Sequence, residues 1–383
     1  SETAENAQTP GALSLLDMNF TSTHFKWANV QLGQYKVYFN RSQINSTASM
    51  QFADRSLVQD AFTASGLDRR DIGITIMNDE ELFPINYYFG IFNGAGPSFN
   101  RLGSFASEEA TIGCPGGQTG GNPFPSPSNC PVNQRNLNAN TRFDVDRLLY
   151  VARLNWNILG RPGYGEGDLA YSERPQLAIG GGYSYNPGIN TSSDNAFVGL
   201  DLANLNIRRQ LAAFGNGRQL GLGIVDYSTW AVDGVFKYRG FSLQGEFYYK
   251  NVNRHDKGLP CMNAACTATA PNNFGNATGF YVQSGYYLIP RTLELAGRFS
   301  YWDPDTNSAG DLIRQTDASL NWFLNGTYDH QIMLTYSNTQ FETGGYAIGR
   351  SAPLPPGSGT VPLDVTKGTL IEHAIRVQYQ IFF

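Results

Sequence analysis

Residues 369–383, Thr-Leu-Ile-Glu-His-Ala-Ile-Arg-Val-Gln-Tyr-Gln-Ile-Phe-Phe, constrain the fold of this chain more than any other stretch. Ile371, Ile375, Val377, Tyr379, Ile381 and Phe383 share one parity, with His373 as the polar intruder, and Glu372, Arg376, Gln378 and Gln380 share the other. Successive side chains of a strand point to opposite faces, so this is a strand with an oily face and a wet face. It stops on an aromatic residue, with Tyr379 and Ile381 in phase behind it, where the termini of soluble domains tend to fray.

Composition says what kind of solvent such a strand meets. Only 15% of residues are charged, against 41% hydrophobic, with 42 Gly, 21 Tyr and 24 Phe. Typical soluble domains carry roughly 25% charge. Mean hydropathy is nonetheless negative, at −0.32. A wall with lipid on one side and water on the other fits both facts. No apolar run of about 18 residues is present to make a spanning helix. In lipid every backbone polar group must be bonded internally, which leaves a closed barrel as the spanning fold. The expectation is all-β: one transmembrane antiparallel β-barrel domain over residues 1–383, in contact with the lipid of a bacterial outer membrane. Tyr379, Ile381 and Phe383 then form the aromatic assembly signal of its closing strand. No signal-peptide pattern is legible, which reads as a mature or trimmed chain. A net charge of −5 argues against nucleic acid as a partner.

Four cysteines form two local pairs. Cys114 and Cys130 bracket a Gly/Pro-rich loop, and Cys261 and Cys266 bracket Met-Asn-Ala-Ala. Neither pair has zinc-ligand spacing or a histidine cluster nearby, so two loop-stapling disulfides are expected and no metal. Disulfides imply an oxidising compartment.

In chain order, strands are expected from Ala12 to His24, Ala28 to Phe39, Asp71 to Met77 and Pro84 to Asn93, then from Arg142 to Ile158 and Pro175 to Tyr185. Tyr35, Val37 and Phe39 are placed outward and Gln34 and Lys36 inward. In the fifth strand Leu148, Tyr150, Ala152, Leu154, Trp156 and Ile158 face lipid, and Arg147 and Arg153 demand water opposite them. Hairpins follow at Thr229–Arg239 with Phe241–Asn251, Gly279–Ile289 with Leu293–Trp302, and Arg314–Asn325 with Gln331–Phe341. Leu205–Phe214 reads as a short helix over a pore mouth. With the last strand this makes about thirteen, joined by connections that alternate long and short, as in outer-membrane barrels. Residues 40–70 are too long and polar for a hairpin turn, and residues 94–140 form a long external loop carrying the first cysteine pair. An even count is the rule for such barrels, so about thirteen implies that part of the wall is missing from view.

Several stretches resemble one family. Val30-Gln-Leu-Gly-Gln-Tyr-Lys-Val-Tyr-Phe39, Asp54-Arg-Ser-Leu-Val-Gln-Asp-Ala-Phe62, Arg70-Asp-Ile-Gly73 and Tyr87-Tyr-Phe-Gly-Ile-Phe-Asn-Gly94 come first. Tyr281-Val-Gln-Ser-Gly-Tyr-Tyr-Leu288, Leu293-Glu-Leu-Ala-Gly-Arg-Phe-Ser300 and Leu320-Asn-Trp-Phe-Leu-Asn325 follow. In this order they resemble strands and loop segments of the phosphate-selective porins O and P. The resemblance implies a homotrimer of sixteen-stranded barrels that pass small hydrophilic solutes, in which residues 40–70 are the inward loop that narrows the channel. The Ala28–Phe39 strand would then be the fifth. About three preceding strands would be cleaved, omitted or supplied by an accessory chain or N-terminal fragment. Phosphate-binding members carry a lysine just before the Glu-Arg-Ser-like segment; here Asn45–Phe52 has none, so strong phosphate specificity is not expected. Asp54 and Arg55 are candidates for the constriction, with Arg69 and Arg70 at the loop's return.

Pore chemistry belongs to the inward positions. Parity places Lys36, Arg147, Arg153, Lys237, Arg239, Lys250, Arg298 and Arg376 there, with Asp233, Glu246, Glu294, Asp317 and Glu372. The small positive excess predicts a mild anion preference, since rings of Lys and Arg in a low-dielectric wall favour anions. Most such charges in any barrel are simply solvated or paired across strands. Of the four histidines, His24, His255, His330 and His373, the last two sit in opposite-running strands and neither is near a nucleophile motif, so catalytic residues and cofactors are not expected. The rival to a pore is a structural barrel that sheathes or anchors a membrane assembly, such as an electron-transfer or surface-appendage complex.

Overall fold

The structure is a computed structural model and describes residues 17–62, 70–94, 148–190, 224–254, 273–303, 306, 312–342 and 369–381. The described strands form one 13-stranded sheet in which every strand pairs with its neighbours in sequence. They are β1 (Met18–Ser22), β2 (Asn29–Lys36), β3 (Arg70–Met77), β4 (Ile85–Phe92), β5 (Leu149–Leu159), β6 (Gln176–Asn190) and β7 (Ile224–Tyr238). Then come β8 (Phe241–Arg254), β9 (Asn273–Ile289), β10 (Leu293–Asp303), β11 (Ile313–Phe323), β12 (His330–Glu342) and β13 (Thr369–Ile381). All twelve pairings are antiparallel. The expected helix Leu205–Phe214, loop residues 95–140, all four cysteines and His255 lie outside the described residues, as do Phe382 and Phe383.

Alternation sets the two faces. Along β11 buried and exposed residues alternate without a break. Tyr150, Leu154 and Trp156 of β5 are exposed, while Leu149, Val151, Arg153 and Asn155 between them are buried. On an ordinary globule large apolar side chains would be buried and arginine exposed. Here the order is inverted, and that inversion is the mark of a lipid-facing wall. Aromatic side chains gather at the two ends of the outer face. Tyr183 and Trp230, with ring centroids 4.4 Å apart, mark the end bearing the long connections. Trp156, Tyr286, Trp322 and Tyr379 are exposed near the end bearing the short ones. Trp and Tyr belong at both membrane–water interfaces, where one edge of the ring stays wet.

The short connections show why the ladder turns where it does. Arg239 and Gly240 link β7 to β8 with positive φ at both residues, 46° and 80°. That is the two-residue turn whose twist matches the flanking strands. A side chain at Gly240 would meet the Tyr171 ring at 2.6 Å.

One expectation is corrected here. β2 takes the reverse parity: Leu32 is 46% exposed, and Tyr35, Val37 and Phe39 are buried. These apolar residues face inward because the inside of the sheet at that level is not water. It holds the apolar end of an inner segment, Leu57, Val58, Ala61 and Phe62.

Candidate functional site in the barrel lumen

After β2 the chain leaves the wall and fills the lumen as far as Phe62. Three local caps fix its course. Asn40 caps α1 (Arg41–Ile44), its side-chain oxygen accepting from Gln43 N at 2.7 Å. Ser46 caps a 3-10 turn at Thr47–Ser49. Ser56 and Gln59 form a capping box at the start of α2 (Leu57–Ala61), so the helix donors that have no intrahelical partner are satisfied by side chains. The apolar side of α2 then packs on the wall, with Phe62 stacked on Tyr248 at 5.1 Å. Gly182 of β6 lets the segment come close: a Cβ there would sit 2.0 Å from Phe39 O.

The polar half of the segment is held by charges of the wall. Glu246 accepts from Ser42 N at 2.7 Å, from Tyr281 Oη at 2.8 Å and from Tyr248 Oη at 2.7 Å. Lys250 Nζ donates to Ala61 O at 2.8 Å. Glu294 accepts from Gln51 Nε2 at 2.6 Å and from Asn321 Nδ2 at 3.0 Å. Arg298 lies against Asp317 at 2.8 Å, donates to Asp54 O at 3.1 Å and sits over the Phe52 ring at 4.2 Å. Arg153 and Asp233 form a two-pronged buried pair at 2.5 and 2.9 Å. A buried charge is costly unless paired and hydrogen-bonded, and the inner segment's backbone supplies many of the partners.

A second segment enters from the opposite end. The connection between β5 and β6 brings Glu166 to Gln51 N at 2.8 Å and to Asn45 Nδ2 at 3.3 Å. Its carbonyls at Pro162 and Gly165 accept from Lys237 Nζ at 2.8 and 2.7 Å. Arg41 donates to Gly163 O of the same connection. Burial pushes the Arg41 guanidinium below its ordinary range, and nearby Asp233 works against that shift. Asp168 is buried as well, accepting from Ser172 and from Gly240 N at 2.8 Å.

Lys237, Lys250, Arg153, Arg298, Asp233, Glu246, Glu294 and Asp317 therefore all face inward, but they are buried under these two segments rather than bathed in a channel. Arg376 and Glu372 face inward from β13 and are only half-buried. Arg376 pairs with Asp54 at 2.5 Å. Three placements made from sequence are corrected. Arg239 is exposed on the β7–β8 turn, because the strand ends one residue sooner than its alternation suggests. Lys36 occupies an outward position at the end of β2, and its long stem still brings Nζ to Asn45 O at 2.8 Å. Arg70 opens β3 on the outward parity and pairs with Asp17 at 3.0 Å. Arg55 is buried and binds Ser42 O and Asn45 O at 2.5 and 3.0 Å, so it braces the segment from within. Arg69 and Arg147 lie outside the described residues. His330 and His373 take the outward parity, and His373 meets Tyr336 Oη at 2.8 Å on the lipid face.

Arg41, Gln51, Glu166 and Asp168 were not foreseen. The only signal in the sequence is the run Gly-Tyr-Gly-Glu-Gly-Asp at 163–168, where two acids sit among glycines in a connection too long for a tight turn.

An anion-selective porin from Comamonas acidovorans shares 10% identity at a TM-score of 0.43, covering 82% of this chain. The chain spans 64% of that porin's length. The in-vitro folded outer-membrane protein OmpT of Vibrio cholerae, in a trimer form, shares 9% at 0.37, with coverage of 92% and 77%. A BenF-like porin from Pseudomonas fluorescens shares 11% at 0.31, with coverage of 93% and 76%. No curated protein matches the sequence. Residues 176–343, the wall from β6 to β12, match the model of the phosphate-selective porin O and P family, the family that the motifs resemble.

Proposed function

We propose that the protein is an outer-membrane porin through which small hydrophilic solutes diffuse passively. The observation that carries this reading is the inverted wall, oily outside and charged inside, around a folded inner segment. A channel rather than an enzyme is also what the family match over β6 to β12 points to. Assembly as a homotrimer is part of the proposal and rests on the family resemblance; the mass of the detergent-solubilised complex tests it.

Selectivity is weak in this reading. Of the eight bases placed inward from the sequence, Arg147 is outside the described residues and Arg239 and Lys36 are not at inward strand positions, which leaves five. The five acids all face inward, and Asp71 of β3, buried as well, joins them. The small positive excess expected from parity is therefore absent from the described wall. The half-buried Arg376 is paired with Asp54, so the described wall gives no ground for a mild anion preference. Strong phosphate specificity is not part of the proposal. Planar-bilayer recording tests the whole: ohmic steps whose reversal potential in a salt gradient leans strongly to neither ion support it, and a folded barrel that never conducts removes it.

A second reading is favoured by the filling of the lumen from both ends. Such a barrel could act as a sheath or anchor for a membrane assembly. It would be silent in bilayers and would co-purify with a fixed partner.

A further inference from the structure

We infer that residues 160–172 of the β5–β6 connection are a floor across the short-connection mouth of the lumen, and that Glu166 clasps this floor to the inner segment, so that the two together limit the size of solute that passes. This inference rests on the porin reading and adds a size limit to it. The chain needs only Arg239 and Gly240 to turn from β7 into β8 at this end, yet it spends residues 160–175 between β5 and β6. Those residues touch every other short turn from β3 round to β12. Tyr164 Oη reaches Glu80 of the β3–β4 turn at 3.5 Å. Ser172 O accepts from Arg239 N at 2.9 Å and Asp168 from Gly240 N at 2.8 Å, both on the β7–β8 turn. Arg291 of the β9–β10 turn donates to Ala170 O at 3.1 Å, and Tyr328 of the β11–β12 turn to Gly167 O at 3.4 Å. All these turns lie inside the sheet, so the floor's position does not depend on β1 or β13.

A connection ordinarily runs over the surface, because buried carbonyls need partners. Here the partners are built in: the carbonyls of Pro162, Gly163, Gly165, Gly167, Ala170 and Ser172 all accept from the wall, its turns or the inner segment. The backbone is bent to this course at both ends. Gly160 and Gly163 turn it inward with φ of 59° and 61°, and Tyr171 turns it back with φ of 55°. A bulky residue in that region is strained and persists only where its surroundings hold it. Glu166 joins the floor to the segment above. Its N–H donates to Ser49 O at 3.0 Å, and its carboxylate accepts from Gln51 N at 2.8 Å and Asn45 Nδ2 at 3.3 Å. Beside it the Arg41 guanidinium lies over the Tyr164 ring at 5.4 Å. The clasp therefore binds backbone to backbone and side chain to backbone, and neither layer shifts without the other.

The test is swelling of liposomes that carry the reconstituted protein, with the neutral sugars arabinose and raffinose as probes, since their entry reports pore width and not charge. The parent should admit arabinose and exclude raffinose. Replacement of residues 161–174 by Asn-Gly, the two-residue turn, should abolish that exclusion. Glu166→Ala leaves the chain length intact, covers the case in which the shortened chain does not fold, and should also let raffinose in. Glu166→Gln keeps one acceptor oxygen and should retain more of the exclusion. Hydrogen exchange should quicken together in residues 41–51 and 160–172 of Glu166→Ala, with β7 to β10 unchanged. A parent that already passes raffinose, or folded variants that admit arabinose and still exclude raffinose, would overturn the floor as the size limit. Exchange that quickens in 160–172 alone would overturn the clasp. If neither sugar enters through the parent or any folded variant, it is the porin reading that fails.

Discussion

At the scale of single residues, the lumen shows how burial changes the work a charge does. Arg153 and Asp233 were placed inward by parity alone, and both are inward, but they are sealed and paired rather than wet. A sealed pair is held by mutual compensation, so removing one member strands the other. Arg153→Met or Asp233→Asn alone should destabilise the folded barrel by about 3–5 kcal/mol. Arg153→Met combined with Asp233→Leu should recover most of that loss, because neither charge is left unpaired. Urea unfolding in detergent micelles checks both expectations; equal losses in the single and double variants would contradict them. Parity carried the direction of these side chains because the period of a strand is fixed by its backbone. It carried nothing about their burial, which depends on an inner segment contributed from far away in the chain.

At the scale of elements, the strands were legible and the filling of the lumen was not. Alternation from Leu177 to Tyr183, from Phe241 to Lys250 and from Ile313 to Phe323 marked out wall strands with the right faces. It misled at β2, where Tyr35, Val37 and Phe39 are oily residues on the inner face. An apolar residue beside lipid and one beside a packed helix look alike in a sequence, so period gives the face set but not which set is outside. The connection between β5 and β6 is harder to read, because part of its lumen contact is made by carbonyls at Pro162, Gly163 and Gly165, which carry no sequence signal, and Glu166 adds a side chain to the inner segment. The inner segment depends on its caps. Ser56→Ala removes one side of the capping box at α2 and should cost about 1 kcal/mol locally. Because α2 is a single short helix held to the wall by Leu57, Val58, Ala61 and Phe62, the expected outcome is faster hydrogen exchange in residues 51–62 with wall strands unaffected. Gly182→Val should disturb the same segment from the wall side by pressing on Phe39 O. Equal exchange in the wall and the inner segment would show that the two do not loosen separately.

For the whole molecule, closure is the open matter. Each neighbouring pair in the sheet is antiparallel, so β1 and β13, twelve steps apart, run the same way. Among the described residues no ladder joins them. Joining them directly would put one parallel pair in the ring, and an antiparallel closure needs an odd number of further strands between them. The outer face of β13 argues that something lies there: Ile375, Val377 and Tyr379 are exposed to lipid, so the strand's free edge is at membrane depth too. An unpaired N–H or C=O in hydrocarbon costs several kcal/mol, and a 13-residue edge multiplies that cost. The folded protein in lipid should therefore have its β13 edge paired, by strands from elsewhere in the same polypeptide or from an accessory one. Hydrogen exchange read by mass spectrometry on peptides spanning 369–381 decides it. Protection matching that of 330–342 is the expected result, because β12 is paired on both sides. Rapid exchange at alternate β13 amides, with β12 protected, would mean that the edge stands open and that the oily surface beside it is covered by something other than a strand.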